Sequence, residues 1–170
     1  MSDLCNDFIQ SEVLALTIMG AFGRSRTYAE NTSDQKKAVM REDLKSRLKN
    51  IGEKYKNPVP ELAHVAEIEK LGKGMTSDYS SILFNGTFRV GTSQKALNLY
   101  LKYLWALQWI PEPPHCPVDS IVLSKIPGLG NVKWTQIDSM EQYVNCITAA
   151  KKVAEPNSIA RWELELWNIA

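Results

Sequence analysis

The chain is poor in the residues that build metal centres and disulfide frameworks. It has three cysteines and two histidines among 170 residues. Cys5, Cys116 and Cys146 are widely separated, with no Cys-x-x-Cys spacing, so we expect no zinc site, iron–sulfur cluster or disulfide framework. The sequence therefore predicts no metal and no cofactor, and its odd number of widely separated cysteines favours a reducing, cytoplasmic compartment.

Long hydrophobic runs and a strong net charge are also missing. The apolar run over residues 13–22 follows acidic residues and is too short to span a bilayer, so we expect neither a secretory signal nor a membrane anchor. The formal net charge of +1 gives no overall attraction to nucleic acid. A content of 44% hydrophobic and 23% charged residues is typical of a soluble globular protein, and the length is that of one domain.

Apolar residues recur at spacings of three and four through much of the chain, which predicts helices. The clearest helix covers residues 34–55, with its charged residues on the other faces. Its buried stripe is Met40, Leu44, Leu48, Ile51 and Tyr55. Proline and glycine positions bound further helices, which we predict over about residues 3–19, 61–71, 92–109 and 138–154, with short helices after residues 77 and 117.

The last segment, residues 159–169, fits two structures. It can be a helix capped by Asn157 or Ser158, but large apolar residues alternate with glutamate from Trp162 to Leu166, as in a strand. We favour a helix because no partner strand is predicted elsewhere. Residues 1–170 are then expected to form a single all-α domain of about seven or eight helices around the helix over residues 92–109.

This central helix is apolar on nearly all sides, so its few polar residues need an explanation. Lys95, Asn98 and Lys102 are three and four residues apart and lie along one line of the helix. A polar stripe on a buried helix must reach solvent, a cavity or an opposite charge. Either the lysines extend to the surface past apolar neighbours, or the stripe marks a functional opening.

Two ionisable residues stand out at helix starts. Lys95 follows Gly91-Thr92-Ser93, where free backbone N–H groups at the beginning of a helix can hold a phosphate. Asp119 lies at the start of the next predicted helix, where the helix dipole favours a carboxylate whether or not it has a function. A joint role requires the fold to bring Lys95 and Asp119 together.

These two segments resemble the helix-hairpin-helix base-excision DNA glycosylases, especially the 8-oxoguanine branch, over about residues 88–123. The resemblance rests on Val90-Gly91-Thr92-Ser93-Gln94-Lys95-Ala96, the apolar helix after it, and Pro117-Val118-Asp119-Ser120-Ile121-Val122. In that family a hairpin ending in a glycine turn grips the DNA backbone, and a proline-valine-aspartate element supplies the essential carboxylate. Members that also cleave the strand carry a nucleophilic lysine at the helix start. The resemblance implies Gly91 in the hairpin, Lys95 as nucleophile and Asp119 as carboxylate.

The same resemblance implies double-stranded DNA as the partner, with a damaged base flipped into an aromatic-lined pocket. Residues 36–56 carry eight basic and three acidic side chains, which can add phosphate contacts. The residues expected to contact nucleic acid are Lys45, Lys49, Arg89, Gly91, Thr92, Ser93 and Lys102.

Less specific interpretations fit the same residues. The basic helix can be a solvated face, or the surface of a non-catalytic helical protein that binds nucleic acid or a protein partner. His115-Cys116 suggests a nucleophile site, but adjacent residues rarely face one another. The five tryptophans can include a base-stacking surface, although at helical spacing we expect most of them in the core.

Overall fold

The fold is built around one buried helix, as the sequence predicts. A computed structural model describes the backbone of residues 3–169 and the side chains of residues 3–168. Seven α-helices and no strand lie within this part of the chain, which confirms the predicted all-α single domain. The helices are α1 (Asp3–Phe22), α2 (Asp34–Lys54), α3 (Glu61–Tyr79), α4 (Val90–Ala106), α5 (Ser120–Ser124), α6 (Met140–Ala154) and α7 (Ile159–Ile169).

Helix α4 is the central one, and α1, α2, α3 and α6 pack against it. Two glycines on the neighbouring helices let them approach closely. A Cβ atom at Gly20 of α1 would lie 2.6 Å from Cδ2 of Leu99, and one at Gly52 of α2 would lie 2.9 Å from Cε1 of Tyr100. The side chains of α4 therefore fill the space that these glycines leave.

Helix α3 is longer than predicted. We expected it to end at Leu71 because Gly72 and Gly74 follow, but it continues to Tyr79. Gly72 is buried where α3 meets α4, and a Cβ there would lie 3.5 Å from both the Phe88 carbonyl oxygen and the Ser93 side chain. Tertiary packing thus outweighs the weak helix propensity of glycine. The short helix predicted after residue 77 is the end of α3 followed by two 3-10 turns, Ser80–Ile82 and Phe84–Gly86.

The other helix boundaries differ by a few residues. Helix α4 covers 90–106 where we predicted 92–109, and Gln108 just after it has a φ of 61°. Helix α6 covers Met140–Ala154 where we predicted 138–154, and it begins with a capping box formed by Ser139 and Gln142. In both cases the predicted helix is present, but its first or last residue lies a few positions from the predicted one.

Residues 159–169 form a helix and not a strand. The Ser158 side chain accepts the Arg161 N–H at 3.2 Å, as a cap of α7. The two glutamates that alternate with apolar residues lie on different faces of this helix. Glu163 faces the interior, where it is 1% exposed, and Glu165 is exposed. None of the helices described here has the length and apolar content needed to cross a membrane.

Candidate active site

The structure brings Lys95 and Asp119 together. The Lys95 Nζ donates a hydrogen bond to Asp119 Oδ2 at 2.7 Å, and the two side chains are only 9% and 10% exposed. Lys95 lies in the second turn of α4, and Asp119 is the N-cap of α5. This proximity is the condition that a shared catalytic role requires.

The two oxygens of Asp119 have different tasks. Oδ1 accepts the backbone N–H groups of Ile121 and Val122, each at 3.0 Å, and so caps α5. Oδ2 is left for the Lys95 amine. The structural interpretation of Asp119 as a helix cap is therefore correct, but the cap occupies only one oxygen. The carboxylate is held in a fixed orientation with its second oxygen on the lysine.

The pair opens into a cavity of about 390 Å³, which we call the Lys95 cleft. This volume lies within the range of small-molecule sites. Tyr103, Trp134 and Trp167 supply aromatic walls, and the Lys95 Nζ lies 5.9 Å from the centre of the Trp134 ring. The full lining is Leu16, Met19, Gly20, Gly23, Arg24, Lys95, Leu99, Tyr103, Asp119, Ser120, Ile121, Trp134 and Trp167.

Gln94 fixes the position of the aspartate segment, and the sequence analysis missed it. Its side-chain Nε2 donates to the Val118 carbonyl at 2.7 Å, and its Oε1 accepts the Val118 N–H at 3.1 Å. The amide thus imitates a pair of backbone hydrogen bonds between α4 and the residue before Asp119. In the sequence, the feature that could have indicated this role is the position of Gln94, a polar residue directly before Lys95 on an otherwise apolar helix.

The start of α4 packs inside the protein, which corrects our expectation that residues 91–93 form an open phosphate-binding turn. Gly91 N–H donates to the Ile137 carbonyl at 2.9 Å, and a Cβ at Gly91 would lie 1.9 Å from the Trp134 carbonyl oxygen. Glycine is needed here because another chain segment passes so close, and this contact fixes the Trp134 wall of the cleft.

The two hydroxyl residues after Gly91 are also occupied internally. Thr92 Oγ1 lies 2.9 Å from Ser25 Oγ, and Ser93 Oγ donates to the Ile68 carbonyl at 2.7 Å. Both side chains are buried. Thr92 and Ser93 therefore tie α4 to its neighbours and present no side-chain hydroxyl to a nucleic acid at the surface.

Lys102, the other lysine of the stripe, has a buried partner that the sequence analysis missed. Its Nζ lies 2.8 Å from Glu163 Oε1, and their side chains are 14% and 2% exposed. Glu163 Oε2 has no hydrogen-bond partner among the described residues. Burial raises the pKa of the Glu163 carboxyl, and the hydrogen bond from Lys102 opposes that shift. Lys102 is engaged here and does not line the Lys95 cleft, and its role in nucleic-acid binding stays a prediction.

Asn98, between the two lysines, belongs to a buried polar network. It donates to Tyr143 OH at 3.0 Å, and that hydroxyl lies 2.7 Å from His115 Nδ1. The His115 ring packs edge-on against His64, with 4.6 Å between the ring centres. Burial lowers the pKa of His64 to about 3 and also lowers that of His115. These histidines hold helices together as neutral rings.

The adjacent Cys116 is not a nucleophile in this arrangement. It is 1% exposed, and burial raises the pKa of its thiol, whereas a reactive cysteine needs a lowered one. His115 directs its ring nitrogens to Tyr143 and Glu61 and not to the thiol. The His115-Cys116 pair therefore has a packing role.

The remaining predicted nucleic-acid contacts lie away from the cleft. Arg89 pairs with Asp138 at 3.2 Å and donates to the Thr135 carbonyl at 3.0 Å. Lys45 pairs with Glu42 at 2.8 Å, and Lys49 is exposed. The structure brings none of these three side chains to the lysine–aspartate pair.

The basic helix α2 faces the other side of α1. Lys45 and Lys49 line a separate shallow cavity of about 450 Å³ together with residues 7, 10, 11 and 14 of α1. The Lys95 cleft instead meets residues 16, 19 and 20 of α1. With 3.6 residues per turn, these two sets project from opposite sides of the helix. Cations that serve the cleft must therefore come from elsewhere.

Comparison with protein-family models, with curated proteins and with solved structures found no match to this chain.

Proposed function

We propose that this protein is a DNA glycosylase with lyase chemistry, in which Lys95 attacks the sugar of a damaged nucleotide. The observation that carries the proposal is the 2.7 Å contact between Lys95 Nζ and Asp119 Oδ2 inside a cleft with aromatic walls. A nucleophilic lysine needs a nearby group to accept its proton, and the second oxygen of Asp119 is in place to do so.

The chemistry follows from this contact. The Lys95 ammonium passes a proton to Asp119, and the resulting amine forms a bond to C1′ of the sugar. The bond from C1′ to the base breaks, and the base leaves with that electron pair and takes the proton held by Asp119. Opening of the sugar ring then moves one proton from the lysine nitrogen to O4′ and leaves an iminium link between Lys95 and C1′.

The walls of the cleft support recognition of a flipped base. Tyr103, Trp134 and Trp167 offer aromatic surfaces on which a base can stack, and such stacking contributes about 1–3 kcal/mol per base. Of the five tryptophans, Trp134 and Trp167 are the two that line the cleft. The low exposure of Lys95 and Asp119 also keeps bulk water from the reacting atoms.

The test is reductive trapping with borohydride on duplex DNA that contains an abasic site or an oxidised base. The wild-type protein should form a covalent adduct, because hydride reduces the iminium to a stable amine. Lys95→Gln should lose the adduct by at least about 10³-fold, the scale of removing a catalytic nucleophile. Circular dichroism of each variant checks that the helices remain.

Lys102→Gln is the matched control. Lys102 lies on the same stripe of α4 and also forms a buried ion pair, but its amine does not line the cleft. This variant should keep the adduct. Equal loss in both variants, or no adduct from the wild-type protein on any of these DNAs, would contradict the proposal. Salt-sensitive DNA binding without an adduct would instead identify a non-catalytic nucleic-acid-binding protein.

A further inference from the structure

Arg24 reaches the Lys95 cleft because of the way α1 ends. The helix stops at Phe22, and the Gly23 N–H closes it by donating to the Met19 carbonyl at 2.9 Å. A Cβ at Gly23 would lie 2.8 Å from that oxygen, so glycine makes this ending possible. The next residue, Arg24, then lines the cleft together with Lys95 and Asp119.

Arg24 has no acidic partner within the described part of the chain. Its one hydrogen bond runs from Nη1 to Ser120 Oγ and is long, at 3.4 Å. Several other arginines are held by carboxylates, as Arg26 is by Glu30 at 2.7 Å. An arginine that faces a cavity and holds only a neutral hydroxyl keeps its charge and most of its N–H donors for a ligand.

The charges of the cleft are unbalanced in favour of an anion. Lys95 and Asp119 neutralise each other, which leaves Arg24 as the net charge of the lining. In the cavity between α1 and α2, by contrast, two lysines face two acidic residues and the charges cancel. A planar guanidinium matches the oxygens of a phosphate group and can bind two of them at once.

The place where such an anion would be held is next to the reacting pair. Ser120, which Arg24 contacts, directly follows Asp119 in the chain, and consecutive Cα atoms are about 3.8 Å apart. The Ser120 hydroxyl also lines the cleft and can donate to the same phosphate. A ligand that places its sugar at Lys95 thus brings its own phosphate near Arg24.

We infer that Arg24, assisted by Ser120, is the phosphate anchor of the Lys95 cleft. The site then binds nucleotides, the phosphate esters of nucleosides, in preference to free bases or nucleosides. This inference rests on the proposed function, since it names the part of the substrate that the same cleft recognises. The phosphate can belong to a DNA strand or to a free nucleotide, and the test separates these sources.

The experiment titrates wild type, Arg24→Gln and Arg26→Gln and follows tryptophan fluorescence, because Trp134 and Trp167 line the cleft. The probes are deoxyguanosine 5′-monophosphate, deoxyguanosine, and a short duplex with a tetrahydrofuran abasic analogue. Arg26→Gln is the matched control because Arg26 is a surface arginine that pairs with Glu30 and does not line the cleft.

Wild type and Arg26→Gln should bind a phosphate-bearing probe at least about tenfold more tightly than the nucleoside, as one charged hydrogen-bonded contact gives. Arg24→Gln should lose this preference. With the duplex, the slope of log K against log salt should fall by about 0.9 in Arg24→Gln alone, which is the loss of one phosphate contact. A preference seen only with the duplex assigns the phosphate to DNA, and one seen with the monophosphate assigns it to a free nucleotide.

Equal behaviour of Arg24→Gln and Arg26→Gln with every probe would overturn the inference, and a trapped adduct in the same proteins would leave the proposed function standing. Arg24-dependent binding without any adduct would have the opposite meaning, an anchored nucleotide site that performs no lyase chemistry. A wild-type protein that binds none of the probes would overturn both.

Discussion

Two ion pairs on one helix differ in what surrounds them. Lys95–Asp119 and Lys102–Glu163 both use a lysine of the polar stripe of α4, and their N–O distances are 2.7 and 2.8 Å. The first pair borders the Lys95 cleft, whereas the second joins α4 to α7 and lies outside the cleft lining. The carboxylates differ as well, because Asp119 Oδ1 caps α5 while Glu163 Oε2 has no described partner.

The comparison shows that the side chain alone does not make a site. Two lysines on the same polar stripe of an apolar helix can have different roles. A cavity must reach the lysine amine before that amine can react with a ligand. A buried ion pair with no access to a ligand is weak support for stability, since desolvation offsets much of the attraction. Access and partner geometry are therefore the properties that the following predictions compare.

The largest effect is expected from changing the carboxylates. Asp119→Asn keeps an N-cap for α5 but removes the acceptor of the lysine proton, so the rate of adduct formation should fall by about 10²–10⁴-fold, the contribution of a positioned acid or base. Glu163→Gln makes the same change in the Lys102–Glu163 pair and should leave the rate nearly unchanged. Rapid-quench trapping measures both rates, and equal slowing would mean that the pairs do not differ in function.

A smaller effect should distinguish the Lys102–Glu163 pair by its contribution to stability. Glu163→Leu leaves the partly buried Lys102 amine without a carboxylate and should lower the free energy of unfolding by about 3 kcal/mol, the lower end of the range for breaking a buried pair. Adding Lys102→Met to that variant should restore most of the loss, because an apolar pair of similar volume needs no charge partner. Urea denaturation gives both values. A loss below about 1 kcal/mol in the single variant would place this pair with ordinary surface ion pairs.

The smallest effect is a loss of stability at low pH, which should come from the histidine network. The pKa of His64 is lowered to about 3, so the unfolded chain takes up its proton first as the pH falls below 6.5. Stability present above pH 6.5 is thus lost toward pH 3, by about 1.4 kcal/mol per pH unit for each histidine that stays neutral. Urea denaturation between pH 7 and about 5 measures this loss, and His64→Gln should reduce the slope. Glu163→Gln is the control for the raised pKa of that carboxyl, which acts in the opposite direction.

Much of the fold follows from local sequence patterns. The stripe from Met40 to Tyr55 and the apolar central helix predict α2 and α4, because helix periodicity is a property of neighbouring residues. The end of α3 is different. From the sequence alone, Gly72 predicts the end of a helix. In the structure the helix continues, because Gly72 packs against Phe88 and Ser93, which are distant in the chain.

The candidate site also depends on contacts between distant residues, which local sequence patterns do not predict. Lys95 and Asp119 are recognisable as unusual charges at helix starts, but their 2.7 Å contact depends on how residues 117–119 return to α4. Gln94 holds that return, and no pattern in the sequence predicts which backbone groups its amide meets. The inward position of Glu163 was likewise not predicted, because the choice between a helix and a strand for residues 159–169 determines which glutamate points inward.

The close passage of Gly91 under the Trp134 carbonyl makes the cleft adaptable on one side only. Any change that moves the Trp134 backbone must also displace the beginning of α4, and with it the lysine. Trp167, on the opposite terminal helix, is half exposed and contacts the Lys102 amine through its ring at 5.0 Å. Substitutions at position 167 can therefore change the width of the cleft, whereas the Trp134 side of the cleft stays fixed.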